Sequence, residues 1–243
     1  MYIVFEGIDG CGKTSLTENI YSKLSSMKHC LNKQILRIKE PSFGNEYGVL
    51  VNKLKRKEIE IDKNNKLYQE FLFIIMNRPY NIPEKYIKDS LFYAYLFSKD
   101  RKYLLVNEIL PNKNEIIIQD RNVWSSYTYQ LIQMYEELKE NYTKEDCKKI
   151  IQLLNRDNNM TPDILFFLSI DTETSINRRL EENKNKNLEF DIFEKKSFLE
   201  QVNDEYSNLS RYYNYNNLII IDASKTKEEV EKKVLKHINM FFK

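Results

Sequence analysis

The chain is poor in the residues that build zinc sites, disulfide frameworks and flexible loops. Its 243 residues include two histidines, three cysteines and five glycines. The cysteines stand at unrelated spacings, so together with two histidines they cannot supply the ligand pattern of a zinc site. An odd cysteine count argues against a disulfide framework, and we expect free thiols in a reducing compartment, the cytoplasm. The three are Cys11, Cys30 and Cys147.

Charge of one sign and long apolar runs are also lacking. The 38 Lys and Arg residues nearly balance 36 Asp and Glu, giving a formal net charge of +2. No overall field therefore attracts nucleic acid or an anionic membrane. No apolar run approaches the roughly 20 residues of a membrane span, and a strand expected from residue 2 leaves no room for a targeting segment. We expect small-molecule partners, with neither nucleic acid nor a membrane among them.

Three of the five glycines lie within six positions, in a stretch that fits the phosphate-binding pattern G-x-x-x-x-G-K-[ST]. We call residues 7–14 the glycine loop. An apolar segment, residues 2–5, precedes it, and a segment with helical spacing, residues 16–24, follows it. Glycines let several backbone N–H groups approach a polyphosphate, and the helix N-terminus adds partial positive charge. The pattern predicts nucleotide binding by Gly7, Asp9, Gly10, Cys11, Gly12, Lys13, Thr14 and Ser15.

Five apolar strands alternate with helical segments, which predicts an α/β fold with a parallel sheet covered on both faces. The three-layer α/β/α arrangement is expected to form one domain over residues 1–243. Ligands of such sheets bind beyond the carboxyl ends of the strands, so the glycine loop, Glu40-Pro41 and Asp120-Arg121 should converge. The expected strands are residues 2–5, 34–38, 115–119, 164–170 and 218–221; the expected helices are 16–24, 47–54, 84–110, 124–139, 144–154, 173–180, 193–213 and 227–242.

Further sequence blocks follow the glycine loop in a fixed order. They are Glu40-Pro41, Leu96-Phe97-Ser98-Lys99-Asp100-Arg101, Asp120-Arg121-x-x-x-Ser125-Ser126-x-x-Tyr129-Gln130 and Pro162-Asp163-Ile164. With these blocks the chain resembles the thymidylate kinase family of P-loop nucleoside monophosphate kinases, over all but roughly residues 56–90. The resemblance implies transfer of the γ-phosphoryl group of ATP to dTMP, giving dTDP and ADP for dTTP synthesis. It also implies Mg²⁺ as cofactor, a P-loop kinase fold and a homodimer.

The resemblance implies roles on the donor side. Lys13 and Thr14 serve ATP and Mg²⁺, Arg121 reaches between the donor and acceptor phosphates, and Asp120 orients Arg121 or a metal-bound water. Asp9 contacts the 3′-hydroxyl of the acceptor sugar. The acceptor is already an anion, so the reaction needs positioned cations and no general base. The implied catalytic set is Lys13, Arg121, Asp9 and Arg179, and the implied metal ligands are Thr14 and Asp120.

The same comparison implies an acceptor site. Phe97 stacks on thymine, Arg101 donates to its O4 edge and Ser126 faces the opposite edge. Tyr129 lies against the sugar, where a bulky ring can exclude a 2′-hydroxyl. Taken alone, the two aromatic residues are more typical of a core. The implied acceptor set is Asp9, Glu40, Pro41, Phe97, Arg101, Arg121, Ser125, Ser126 and Tyr129.

The chain departs from the family pattern in three places. Gly10 stands where some members carry an arginine, so catalytic cations would come from a lid at about residues 181–193, and Asn52 stands where many carry an arginine for the acceptor phosphate. An insertion at about residues 56–90 has an apolar segment, residues 71–76, that would line a dimer surface, cover the acceptor site or be buried in the monomer. The candidate lid cations are Arg178, Arg179, Lys184 and Lys186; Lys53 and Lys55 are the candidate substitutes for Asn52.

Two alternatives stay open. A deoxynucleoside kinase of the same fold would use Glu40 to deprotonate a 5′-hydroxyl, although the Glu-Arg-Ser signature of that family is absent. A non-catalytic nucleotide-binding protein would bind ATP without transferring its phosphate, and the sparse lid and Asn52 would suit it. Thymidine assayed beside dTMP discriminates the first alternative, and transfer to any monophosphate excludes the second.

Overall fold

The structure is a computed structural model that describes residues 1–27, 32–158, 160–186, 192–212 and 217–242. The chain divides into two compact units. The first unit comprises Met1–Lys39, Asn112–Trp124 and Thr161–Lys243, and the second comprises Glu40–Pro111 and Ser125–Met160. The expected single domain stays a prediction. Cys11 and Cys147 are buried free thiols, whereas Cys30 lies outside the described residues.

A five-stranded parallel sheet organises the first unit, in the order β2-β3-β1-β4-β5. Every strand begins and ends within one residue of its expected bounds. The central strands are buried throughout because parallel strands are covered on both faces. The strands are β1 Tyr2–Glu6, β2 Ile35–Lys39, β3 Ile116–Asp120, β4 Ile164–Ser169 and β5 Leu218–Asp222.

The helices follow in chain order. Those in or bordering the first unit are α1 Lys13–Ser26, α5 Val123–Ser125, α8 Thr172–Lys186, α9 Ile192–Tyr212 and α10 Lys227–Met240. Those of the second unit are α2 Glu46–Lys55, α3 Lys66–Met76, α4 Asp89–Leu104, α6 Leu131–Leu138 and α7 Lys144–Asn155. A 3₁₀ turn, Glu84–Tyr86, precedes α4, and π-helical segments, Leu105–Ile109 and Ser126–Gln130, follow α4 and α5.

Helices cover both faces of the sheet. Phe166 and Phe167 are consecutive in β4, so their side chains point to opposite faces. Phe166 stacks on Phe5 and contacts His237 of α10, with ring centroids 5.0 and 6.4 Å away. Phe167 stacks on Tyr206 of α9 at 5.6 Å. The predicted three-layer α/β/α fold is confirmed.

An aromatic core holds the second unit together. Tyr68 and Phe71 of α3 pack against Phe92 and Tyr95 of α4, with ring centroids 4.9 Å apart for Tyr68 and Phe92 and 5.4 Å apart for Phe71 and Tyr95. Phe71 is fully buried, whereas Phe73 is 73% exposed. The face of α3 that carries Phe71 is therefore buried within the second unit, which is one of the three roles considered for the insertion.

Two helix predictions need correction. The helix expected at residues 84–110 begins as a 3₁₀ turn, and α4 starts only at Asp89. The helix expected to end at residue 180 continues to Lys186. The first six residues of the expected lid, 181–186, are therefore helical. Asn, Lys and Glu make helix formation only slightly less favourable. A helix that has begun earlier in the chain can therefore continue through them, although they add nothing to its apolar pattern. Residues 187–191 of the predicted lid, and the side chains of Lys184 and Lys186, lie outside the description.

Within the described ranges, no helix combines the length and apolar character that crossing a bilayer requires.

Candidate active site

The glycine loop connects β1 to α1 and surrounds the Lys13 ammonium group. Lys13 is 5% exposed. Its Nζ donates to the carbonyl oxygens of Gly7 at 2.8 Å and Ile8 at 2.9 Å, and lies 3.4 Å from Cys11 Sγ. In the described part of the chain, Lys13 forms no ion pair with a carboxylate. A buried cation without a carboxylate partner favours binding of an anion from solution.

Gly10 is required where α8 packs on the glycine loop. Its φ is +86°, and a Cβ there would lie 2.5 Å from the Ser175 carbonyl oxygen and 3.0 Å from Arg179 Cγ. The Ser175 hydroxyl donates to the carbonyl oxygen of Asp9 in the same loop. The close approach of α8 therefore explains Gly10 independently of any missing arginine.

Thr14 and Asp120 meet beside the glycine loop. Thr14 Oγ1 donates to Asp120 Oδ2 at 2.7 Å, and Lys39 Nζ lies 3.9 Å from the same oxygen. Asp120 Oδ1 is buried and has no hydrogen-bond partner among the described residues. A hydroxyl and a carboxylate with an unpaired oxygen fit Mg²⁺, which prefers oxygen ligands and takes its others from water and phosphates. In the described ranges, no three His, Cys, Asp or Glu side chains are grouped to hold a metal ion by themselves.

Three of the four predicted catalytic side chains lie together, because two arginines contact the Asp9 carboxylate. Arg121 Nη2 donates to Asp9 Oδ1, and Arg179 Nη1 lies 3.9 Å from Asp9 Oδ2. The side chains of Asp9, Arg121 and Arg179 are 42%, 15% and 28% exposed. Two guanidinium groups at one water-accessible carboxylate can exchange it for phosphate oxygens at little desolvation cost.

Arg121 is held at its backbone as well as at its side chain. Its φ is +71°, a left-handed value that is unusual for a residue with a Cβ. Its N–H donates to the Phe5 carbonyl at 3.0 Å, and its carbonyl accepts from Gln119 Nε2 at 2.7 Å. Its Nη1 lies 3.5 Å from Tyr206 Oη, which donates to the buried Glu6 carboxylate at 2.8 Å. Such strain is typical of residues held in place for function.

The acceptor residues of the second unit include a buried ion pair. Arg101 Nη2 donates to Glu40 Oε2 at 2.6 Å, and its Nε lies 3.2 and 3.1 Å from the two carboxylate oxygens. Its Nη1 donates to Asn155 Oδ1. The side chains of Arg101 and Glu40 are 3% and 2% exposed. The structure thus pairs two predicted substrate residues directly, and Asn155, which the sequence did not indicate, binds the remaining side of the Arg101 guanidinium group.

Two buried polar atoms lie in the segment that carries several other predicted acceptor residues. Ser126 Oγ and Gln130 Oε1 are both buried without a hydrogen-bond partner in the part of the chain described here. Ser125 is buried, Tyr129 is half-buried, and Phe97 is 9% exposed at the edge of the core. Buried polar atoms are rarely left unpaired, so these two favour contact with a polar ligand. Gln130 had no predicted role, although it follows Ser126 by about one helical turn.

Asn52 and the candidate lid cation Arg178 both bind backbone carbonyl groups. Asn52 Nδ2 donates to the carbonyl oxygens of Ser42 at 3.0 Å and Gly48 at 2.9 Å. The candidate lid cation Arg178 donates to the carbonyl oxygens of Ala223 at 2.7 Å and Ser224 at 3.2 Å. Asn52 therefore braces the chain after β2, and Arg178 braces the loop after β5. Lys53 and Lys55 are exposed.

Comparison with known proteins places the chain in a family. A sequence model of thymidylate kinase matches residues 84–234. Thymidylate kinase of Ureaplasma parvum serovar 3 is 30% identical over 249 aligned residues, which cover 100% of this chain and 91% of the relative. The chain belongs to the thymidylate kinase family. Thymidylate kinase of Mycoplasmopsis pulmonis is 33% identical over 97% of this chain and 86% of its own length.

A solved structure of thymidylate kinase from Ehrlichia chaffeensis has the same fold. It superimposes with a TM-score of 0.60 at 21% identity and covers 98% of both chains. The membership of the thymidylate kinase family that the ordered sequence blocks predicted is therefore confirmed, together with the fold.

Proposed function

We propose that the protein is a thymidylate kinase, a nucleoside monophosphate kinase that transfers the γ-phosphoryl group of ATP to dTMP. The products are ADP and dTDP, the precursor of dTTP. One observation carries the proposal in a chain of this family: cations cluster at the glycine loop, where Lys13 is buried and Arg121 and Arg179 both contact Asp9. Positioned cations are what phosphoryl transfer requires of a protein.

ATP is proposed to bind with its phosphates on the glycine loop. Backbone N–H groups from Gly7 to Ser15 and the N-terminus of α1 would donate to the phosphate oxygens, and Lys13 would supply a positive charge. Thr14 and Asp120 would hold Mg²⁺, because their side chains are hydrogen-bonded to each other and the buried Asp120 Oδ1 has no partner among the described residues. The ion would neutralise and orient the phosphates of bound ATP.

The transfer step forms a bond from an acceptor phosphate oxygen to the γ-phosphorus and breaks the bond from that phosphorus to the β–γ bridging oxygen. The electron pair of the broken bond leaves with ADP. Arg121 and Arg179 are proposed to leave Asp9 and stabilise charge on the transferring group, and Asp9 is then available to the 3′-hydroxyl of the acceptor sugar. The dTMP phosphate is already ionised, so no side chain needs to remove a proton.

The acceptor nucleotide is proposed to bind to the second unit. Phe97 would stack on the base and Tyr129 would lie against the deoxyribose. The Ser126 hydroxyl and the Gln130 carbonyl oxygen, which have no partner among the described residues, offer a donor and an acceptor that suit the carbonyl and N3–H groups of a thymine edge. Arg101 keeps one orientation because Glu40 and Asn155 hold it. The remaining predicted contacts are Pro41 and Ser125.

A cytoplasmic homodimer is a further part of the proposal. The family resemblance supports the dimer, and the buried free thiols of Cys11 and Cys147 suit a reducing compartment. Light scattering on the purified protein tests the dimer, since a monomeric mass across the micromolar range would contradict it.

A panel of acceptors tests the proposed function. Purified protein with ATP and Mg²⁺ is given dTMP, dUMP, dCMP or thymidine, and ADP formation is followed. We expect the highest rate with dTMP. Phosphorylation of thymidine alone would establish the deoxynucleoside kinase alternative, and ATP binding without any transfer would establish the non-catalytic one.

Replacing Lys13 tests the role of the glycine loop in that assay. Lys13→Ala should fold normally by circular dichroism and lose transfer by a factor of about 10³, because a charge on the transferring group is no longer neutralised. Lys23→Ala is the matched control, since Lys23 is an exposed lysine of the same helix. Turnover of Lys13→Ala at the wild-type rate would refute the role of the loop.

A further inference from the structure

Helix α4 holds the chain after β2 through two consecutive residues. Arg101 binds the Glu40 carboxylate. Its neighbour Asp100, which has no role in the proposed site, binds the same stretch of chain two to five residues further on. We call residues 40–45 the acceptor loop. Asp100 is 0% exposed, and a carboxylate buried to this extent must be fully hydrogen-bonded to be tolerated.

The acceptor loop supplies three hydrogen bonds to Asp100. Asp100 Oδ2 accepts from the Ser42 N–H at 2.9 Å. Its Oδ1 accepts from Ser42 Oγ and from Asn45 Nδ2, both at 2.6 Å. Hydrogen bonds to an ionised acceptor are stronger and more directional than neutral ones. The carboxylate thus fixes both the backbone and the side chains of the loop.

Helix α2 fixes the acceptor loop from its other end. Asn45 Oδ1 accepts from the Gly48 N–H at 3.0 Å and caps the helix. Asn52 Nδ2 donates to the Ser42 carbonyl at 3.0 Å. A Cβ on Gly48 would lie 2.5 Å from that carbonyl oxygen and 2.7 Å from Asp100 Oδ1. The contact between α2, the loop and Asp100 is therefore too close for any residue other than glycine at position 48.

We propose that Asp100 is a positioning residue for the acceptor nucleotide. It holds Ser42 and Asn45, so it fixes the loop that begins with Glu40, and Glu40 in turn orients the Arg101 guanidinium group. The inference rests on the proposed function, because it takes Arg101 and Glu40 as parts of the dTMP site. A purely structural Asp100 would affect stability and both substrates alike, whereas a positioning Asp100 affects the acceptor selectively.

The Asp100→Asn variant tests the inference. It keeps the side-chain volume, removes the charge and places an amide N–H₂ group against the Ser42 N–H or the Asn45 N–H₂ group, both of which only donate. We expect the KM for dTMP to rise about tenfold, as for the loss of one to two net hydrogen bonds. The KM for ATP and kcat should stay within about twofold, and dTMP should raise the melting temperature less than in the wild type. Asp157→Asn, an exposed aspartate of the same unit, is the matched control and should leave all these values unchanged.

A second variant decides the matter if Asp100→Asn does not fold. Ser42→Ala removes one of the three donors and leaves the carboxylate and the backbone bond, so the KM for dTMP should rise about threefold with the KM for ATP unchanged. Unchanged KM values, or equal rises for both substrates, would overturn the inference. A wild-type protein that does not phosphorylate dTMP would refute the proposed function itself, which is a separate outcome of the same assay.

Discussion

Each of the two units contains an arginine–carboxylate pair of predicted site residues, and the two pairs differ in their access to water. The side chains of Arg121 and Asp9 are 15% and 42% exposed, whereas those of Arg101 and Glu40 are 3% and 2% exposed. An exposed pair is only weakly stabilising and separates easily. A buried pair leaves an unpaired charge in the protein interior when it is broken. The first pair can therefore change partners during turnover, and the second is suited to stay fixed.

Breaking the buried pair should have the largest effect on stability. Arg101→Ala leaves the Glu40 carboxylate and the Asn155 amide without their partner, which should cost about 3–5 kcal/mol of unfolding free energy. Urea denaturation measures this loss. Lys102→Ala is the control, because the neighbouring lysine is exposed. A loss below about 1 kcal/mol would show that the two pairs are energetically alike.

Breaking the exposed pair should affect turnover instead of stability. Arg121→Ala is expected to lower kcat by about 10²–10³, the usual cost of removing one donor from a developing charge. Unfolding free energy should change by less than about 1 kcal/mol, and the Kd for ATP should stay within about threefold. Steady-state kinetics and ATP titration measure both quantities. Equal losses in kcat and in ATP affinity would place Arg121 in ground-state binding only.

Alanine variants of two glycines test the same comparison between the glycine loop and the acceptor loop. An added Cβ meets Ser175 at Gly10 and Ser42 at Gly48, so each alanine variant should lose about 1–3 kcal/mol of stability. Gly10→Ala should raise the KM for ATP, and Gly48→Ala should raise the KM for dTMP. Gly44→Ala is the control, because a Cβ there meets no atom within 4 Å. Similar rises in the KM for ATP and the KM for dTMP in either variant would argue against separate donor and acceptor regions.

The smallest expected effect concerns the insertion. Hydrogen bonds from Tyr95 and then Lys99 lower the pKa of Glu70 below its ordinary value of 4.5. Its contribution to stability is present above about pH 4.5 and is lost as pH falls through the lower, folded-state pKa. The melting temperature of the wild type should exceed that of Glu70→Gln near neutral pH, and the difference should shrink on acidification. With a side chain 45% exposed, the difference should be small; Glu60→Gln controls for the loss of one exposed charge. A difference in melting temperature that does not depend on pH would argue against stabilisation by the ionised Glu70 carboxylate.

Local patterns predicted the sheet and the glycine loop, because each strand is an apolar run and each loop residue is adjacent in sequence to the next. Contacts between distant residues were not predictable in that way. Tyr206 binds Glu6 across 200 positions, and Ser42 binds Asp100 across 58. The end of α8 was missed because residues 181–186 include no apolar residue that would reveal a helical pattern. The close approach of α8 to Gly10, where an added Cβ would lie 2.5 Å from the Ser175 carbonyl oxygen, is another contact between distant residues.

Tracing the phosphoryl group tests the account most directly. The protein is incubated with ATP labelled at the γ-phosphorus, Mg²⁺ and either dTMP or thymidine, and the labelled nucleotides are separated. The account predicts label in dTDP when dTMP is supplied and none in dTMP when thymidine is supplied. Label in dTMP from thymidine, with no labelled dTDP from dTMP, would contradict it.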